Sequence, residues 1–233
     1  DGRWLAYQRH SLVPGLAEGE VSLGPSQIYV HSLTNPGAPE QPLGDFGARF
    51  PRWAPDSRLS YLDTNRAAIA IHDLQTGAVT YVPNASGEIG TWLPDASTLI
   101  FAELVFPEHV DDGSETAAEH EAALMTFYSV LMRVVVATNE AVNLSGEGPV
   151  LDGSPMLSPS GAWLAFGRKT LVDAQWTPGR QLWLMRPDGT KAYALTADPL
   201  YNHSAFRWSP DSRTLAYMRI NVAEPGQPAD IWT

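Results

Sequence analysis

One short turn recurs along this chain, and its recurrence restricts the fold more than any single residue does. It is complete in RWSPDSRTLAYMR (207–219), FPRWAPDSRLSYLD (50–63), GTWLPDASTLIFAE (90–103) and PMLSPSGAWLAFGR (155–168), and headless in DGRWLAYQR (1–9). The shared turn position falls at Asp1, Asp56, Asp95, Ser160 and Asp211, so successive copies are 55, 39, 65 and 51 residues apart, a spacing suited to stacked supersecondary units. Proline fixes φ at the first turn position, aspartate accepts from nearby backbone N–H groups, and a small residue fits the tight third position. Ser209, Asp211 and Ser212 could be mistaken for a reactive centre. A nucleophile is needed once, however, whereas this pattern occurs five times, so these residues are read as a turn.

The smallest spacing shows the bare unit. Residues 51–89 read as a strand ending at Trp53, a Pro-Asp turn, a strand around LSYL, a strand AIAIHDL, a QTG turn and a strand AVTYV. After each turn, LAYMR, LIFAE, WLAFG and WLAYQ are apolar on both alternating faces, as strands covered on both sides must be. The third strands QIYVHSL (27–33), AIAIHDL (68–74), VLMRVVV (130–136) and QLWLMRP (181–187) follow the same rule. Four short strands per repeat describe the blade of an all-β propeller, with repeats at about 1–50, 51–89, 90–153, 154–204 and 205–233. The repeat explains Trp53, Trp92 and Trp208 before the turn, Trp4 and Trp163 after it, and Trp183 and Trp232 in third strands. Trp176 alone lies outside the pattern.

Composition narrows the partners. A formal charge of −11 makes nucleic acid and anionic lipid poor candidates, because the surrounding field repels phosphate. With no cysteine there are no disulfides, thiolate metal sites or cysteine nucleophiles. No apolar run reaches the roughly 18 residues of a membrane span, and the first residues show no basic-then-apolar signal region.

The pattern W-S-P-D-S/G, followed by an L-A-Y/F strand and an I-Y-V strand, resembles the WD-like repeat of the TolB family of β-propellers. Related repeats occur in the propellers of prolyl-oligopeptidase-type and tricorn-type peptidases. The resemblance covers nearly the whole chain and implies a ring of six blades, of which about four and a half are visible here. It therefore leads us to expect a chain incomplete at both ends, with a first repeat lacking its first strand and a fifth stopping at DIWT. It also implies an exported bacterial protein, periplasmic or extracellular.

Insertions in repeat proteins collect on one face, often the binding face. Here they fall between second and third strands: residues 10–26, 104–128, 170–180 and 220–229. They should share one end of the fold with the connections between repeats. From Glu103 to Glu121, the start of the third repeat's insert carries Glu103, Glu108, Asp111, Asp112, Glu115, Glu119 and Glu121 with no Lys or Arg. Thr116 and Glu119 fit a capping box, which predicts a short amphipathic helix over AAEHEAALMTFY with Leu124, Phe127 and Tyr128 on its apolar side. A cation site of His109, Asp111, Asp112 and His120 was weighed against a solvated acidic loop. The spacing matches neither HExxH nor an EF-hand, which favours the loop and assigns no metal. Trp176, Tyr201, Asn202 and His203 are candidate ligand-binding residues, being aromatic and polar groups expected in loops of the elaborated end; Glu108, Asp111 and Asp112 join them as an acidic contact surface.

No catalytic constellation accompanies these residues: GxSxG, HExxH, a phosphate-cradling GxxxxGK[ST] and the sialidase-type box are absent from the sequence. The leading expectation is a non-enzymatic module, without cofactor, that binds a protein or peptide through its loop-rich end. The acidic insert favours a basic partner. The alternative is the substrate-gating propeller of a larger serine peptidase. Third comes a metal-dependent propeller lyase, which requires several histidines to converge; His31 and His72 recur in third strands and read as structural.

Overall fold

The computed structural model describes residues 2–15, 20–106, 127–173, 175–224 and 226–233, and among these every regular element is a β-strand. The first repeat contributes β1 (Trp4–Pro14), β2 (Val21–Ser32) and β3 (Gln41–Leu43). The second contributes β4 (Ala48–Trp53), β5 (Leu59–Asp63), β6 (Ala68–His72) and β7 (Val79–Pro83). β8 (Thr91–Trp92), β9 (Thr98–Val105), β10 (Tyr128–Val135) and β11 (Ala141–Asn143) form the third. The fourth holds β12 (Val150–Leu157), β13 (Leu164–Val172), β14 (Gln175–Trp176), β15 (Gln181–Met185) and β16 (Tyr193–Ala194). Last come β17 (Tyr201–Trp208), β18 (Leu215–Asn221) and β19 (Asp230–Trp232).

These strands belong to two compact units, Asp1–Ile89 and Gly90–Thr233. The first contains the sheets β1-β2-β3 and β4-β5-β6-β7, antiparallel throughout. In the second, the third and fourth repeats are joined through one parallel pair, Ser129 with Leu151, and β17-β18-β19 form a separate sheet.

The recurring turn closes the same way in each complete copy. A small residue donates back across the turn: Ser57 N–H to Ala54, Ala96 N–H to Leu93, Gly161 N–H to Ser158 and Ser212 N–H to Ser209, at 2.8–3.0 Å. Its φ is positive in every case, at 71° for Ser57, 57° for Ala96, 73° for Gly161 and 63° for Ser212. The aspartate carboxylates hold the following residues: Asp56 accepts from Arg58 N–H, Asp95 from Ser97 N–H and Asp211 from Arg213 N–H. The hydroxyl of Ser97 and that of Ser209 hold the carboxyls of Asp95 and Asp211 below their usual range, with the backbone N–H groups adding to the effect. Ser209 also accepts from Thr214 N–H at 3.0 Å, so the residues that mimic a reactive centre are occupied in building the turn.

Strand faces explain the doubly apolar pattern. In the fourth repeat, Leu164, Phe166 and Met185 pack with Ile100, Ala102, Leu131 and Leu144 of the third. The intervening Ala165, together with Leu182 and Leu184, packs with Phe206 and Leu215 of the fifth. Because successive strand side chains point to opposite faces, one sheet joins both neighbouring cores. In the first unit Ile28, Val30 and Leu43 meet Ala48, Leu59, Tyr61 and Ala70 in the same way.

Three sequence expectations are corrected. Residues 10–26 are not simply a loop: β1 and β2 continue past the sheet as a long hairpin, with a register shift between His10 and Leu12. In 170–180, β13 runs to Val172 and turns back as β14. Tyr128, expected in a helix, opens β10 opposite Val105 because the β9 ladder offers its backbone ready partners, and Phe127 lies 6.1 Å from the ring of Phe106. The rest of that helix expectation, 117–126, lies outside the described residues.

The turn geometry yields a stability test. At Gly161 an added Cβ would sit 2.9 Å from Pro94 Cγ on a backbone at φ 73°, so Gly161→Ala should destabilise the protein by ~1–2 kcal/mol. Chemical denaturation should show the lower midpoint with an unchanged slope.

Candidate binding face

Inserts and inter-repeat connections meet at one end within each unit. In the first, the 44–47 connection is held by the β5–β6 turn: Asn65 Nδ2 donates to Phe46 O at 2.6 Å and Arg66 pairs with Asp45 at 3.1 Å. In the second, Gly179 N–H donates to Pro199 O at 2.8 Å, and Gln181 Nε2 donates to Asp198 O at 2.7 Å. The backbone approach is close enough that a Cβ on Gly179 would lie 2.1 Å from Tyr201 O. Gly179 therefore positions this end, and the repeat pattern gave no sign of it.

The candidate residues divide here. Tyr201, Asn202 and His203 are not loop residues: they begin β17, paired with Asn221, Ile220 and Arg219. Their backbone is drawn into the sheet from both sides, since His203 N–H also donates to Arg180 O at 2.9 Å. Asn202 Oδ1 accepts from Arg180 N–H at 3.2 Å, and the His203 ring nitrogen Nδ1 lies 3.0 Å from Arg180 O. His203 is only 2% exposed and packs 5.6 Å from the Tyr217 ring. Both residues thus hold the fourth and fifth repeats together. Trp176 is half-buried in β14 opposite Leu171, and no ring contact joins it to Tyr201 among the described residues. Glu108, Asp111 and Asp112 lie outside the described residues.

Tyr201 stays half-exposed and forms something the sequence reading missed. The Arg219 guanidinium sits 4.1 Å from its ring and 4.0 Å from that of Trp232, a cation held between two aromatic faces. Asp230 approaches Nη2 at 3.7 Å but is 63% exposed, which makes this a weak, screened pair. Nε of Arg219 is buried without a hydrogen-bond partner.

The same repeat position shows what a neutralised version looks like. Arg9, Arg168 and Arg219 all follow the L-A-aromatic strand, and each stacks on a third-strand aromatic: Tyr29 at 3.7 Å, Trp183 at 4.8 Å and Trp232. Opposite Arg168 in register stands Asp152, with a fully buried side chain. Arg168 donates Nε to Oδ1 at 2.7 Å and Nη2 to Oδ2 at 2.6 Å, while Ser145 Oγ donates to the same carboxylate. Opposite Arg219 stands His203 instead. Burial pushes that imidazole below its ordinary range and the nearby Arg219 adds to this, against the opposing bond to Arg180 O. It cannot replace the carboxylate. Among the described residues, no three His, Asp or Glu side chains come together to hold a metal ion.

No protein-family model matches the sequence, and no curated protein matches it. Solved structures share the fold. An oligogalacturonate lyase in complex with manganese aligns at a TM-score of 0.60 and 22% identity, over 89% of this chain and 56% of the lyase. TolB from Acinetobacter baumannii aligns at 0.55 and 14% identity, over 88% of this chain and 45% of TolB. The Pyrococcus horikoshii acylaminoacyl peptidase aligns at 0.61 and 14% identity, over 99% of this chain and 36% of the peptidase. The chain spans 56% and 55% of two oligogalacturonate lyases it matches. At these identities the likeness shows the fold, that of TolB-like propeller proteins.

Two measurements follow. Asp152→Ala, which strands the buried Arg168, should cost ~3–5 kcal/mol, whereas Asp230→Ala at its exposed pair should cost less than ~1 kcal/mol. Because the His203 pKa is depressed on folding, the unfolded chain takes up the proton first. Stability should be full above pH ~6.5 and fall as pH drops through the imidazole range. Melting temperatures between pH 8 and 5.5 should show that slope, and His203→Gln should reduce it, leaving the part due to His72, whose pKa burial also depresses.

Proposed function

We propose that this chain is a non-enzymatic binding module that docks a protein or peptide on the end where its inserts and connections meet. The observation that carries this is Arg219 between Tyr201 and Trp232: an anchored guanidinium flanked by aromatic faces, whose ion pair among the described residues is to an exposed carboxylate at 3.7 Å. Aromatic and arginine side chains on a rigid scaffold are the groups that most often anchor protein partners. Trp176 extends the same end, and the acidic insert, with Glu108, Asp111 and Asp112, supplies attraction for a basic partner. By its resemblance to TolB-like proteins, the setting is periplasmic or extracellular.

A second reading, the substrate-gating propeller of a larger serine peptidase, draws support from the alignment of 99% of this chain within 36% of an acylaminoacyl peptidase. A GxSxG-bearing hydrolase segment in the same gene would decide for it. The lyase reading finds no ligand cluster among the described residues, so no metal-dependent step is derived.

Selection of a displayed random peptide library on the chain tests the leading proposal. Selected peptides should lose at least about tenfold in affinity with Tyr201→Ala, Trp176→Ala or deletion of 106–122, in variants that melt as the parent does. Peptides that bind parent and variants equally would remove this end from consideration.

A further inference from the structure

The opposite end of the second unit, where the recurring turns lie, carries an open cleft of about 440 Å³. It is lined by Leu93 from the turn after β8, Arg133 from β10, and Arg186, Pro187, Asp188, Thr190 and Lys191 from the β15–β16 turn. Three of the fifteen Lys and Arg residues of a chain with net charge −11 thus converge on one concavity. Placing like charges together costs free energy unless something of opposite sign joins them.

Among the described residues, the one carboxylate lining the cleft, Asp188, leaves three cations facing a single negative charge. Among the described residues no carboxylate forms an ion pair with Arg133, Arg186 or Lys191. Two acids stand close, and both are occupied. Asp188 accepts from Thr190 N–H at 2.9 Å and from its hydroxyl at 2.7 Å, which closes the turn, and Asp95 is held by Ser97 in the same manner. Thr190 and Ser97 keep these carboxyls below their usual range, and the charge of Arg133 contributes to both. Arg133 therefore stands within their field without a pair, and its Nε is buried with no hydrogen-bond partner.

The Arg186 side chain is fixed before any ligand arrives, and the backbone places Arg133 and Lys191. Arg186 donates Nη1 to Ala162 O at 2.8 Å and lies 4.0 Å from the Trp163 ring, which holds the guanidinium while leaving it further donors. Arg133 is set by its strand, between Ile100 and Val142. Lys191 sits at φ 55°, a left-handed residue at the tip of its turn.

We propose that this cleft binds a small organic carboxylate. Its oxygens would be taken by the donors of Arg133 and Arg186 with Lys191 adding charge, and its carbon skeleton would lie against Leu93 and Pro187. Planar guanidinium groups match the two oxygens of a carboxylate, and the cleft volume lies within the range of small-molecule sites. This site is separate from the face proposed for a protein or peptide, and neither depends on the other.

Titration calorimetry at low ionic strength tests it, with succinate as probe, succinamide as the uncharged isostere and inorganic phosphate as the tetrahedral anion. Succinate should give a saturable signal, weakened about tenfold or more in Arg133→Gln and in Lys191→Asn, and unchanged in Arg219→Gln. Asparagine suits the left-handed backbone at position 191, so Lys191→Asn keeps the test valid should Arg133→Gln fail to fold. No saturable signal, equal affinity for succinamide or phosphate, or equal binding by Lys191→Asn would overturn the proposal.

Discussion

The structure rests on the burial of both faces of the second strand in the middle repeats, where β5, β9 and β13 carry runs of consecutive buried residues, whereas β1 of the first repeat leaves Leu5 about half exposed. Leu164 and Phe166 point into one core, and Ala165, between them, points into the next. A sheet with two apolar faces has no stable existence alone, so a repeat of this kind obliges a neighbour on either side. That constraint explains the turn as well. If the Pro-Asp turn slipped by one residue, every side chain of the following strand would change faces, and the core on each side would lose its contents. The positive φ values at Ser57, Ala96 and Ser212 are local strain accepted to keep this register, and Gly161 adopts the same geometry without it.

Once the scaffold is rigid, small differences at one repeat position produce different chemistry. Arg168 and Arg219 occupy the same place on their strands and stack on equivalent aromatics. The first faces a buried carboxylate of its own repeat, and Ser145 of the third repeat, bonded to both, makes the pair a structural tie between repeats. The second faces a buried imidazole and keeps an accessible charge between Tyr201 and Trp232. A repeat fold can thus carry function on positions whose counterparts only hold it together. The cleft at the opposite end follows a related logic: the acids nearest its cations are held by hydrogen bonds of their own turns and form no ion pair with them.

Much of this architecture was legible in the residues. Turn spacing, doubly apolar strands and the tryptophan positions pointed to stacked four-stranded sheets, and β4 to β7 have that form. The elaborated end was legible too, because loop length follows from repeat alignment. The roles of Tyr201, Asn202 and His203 were not. Their polarity suggested a loop, yet their backbone pairs with β18, and Arg180 of the neighbouring repeat holds Asn202 and His203 from the other side. Arg9, Arg168 and Arg219 recur in the aligned repeats, but which of them faces a carboxylate depends on the strand opposite, where Asp152 meets Arg168 and His203 meets Arg219. Gly179 offered no comparable signal, since its closeness to Tyr201 O depends on a contact between segments that the repeat does not relate.

The sequence by itself determined the local grammar: where each turn falls, which strands are buried on both faces, and that no cysteine chemistry is available. These depend on short-range sterics and on the two-residue period of a strand, both of which act within a few residues of the chain. Tertiary structure alone decided which charges are neutralised. Arg168 meets Asp152 across 16 residues, and Arg133 shares a cleft with Arg186 and Lys191 from another repeat. Electrostatic pairing acts through space rather than along the chain, so the difference between a structural arginine and an available one appears only when the sheets are packed.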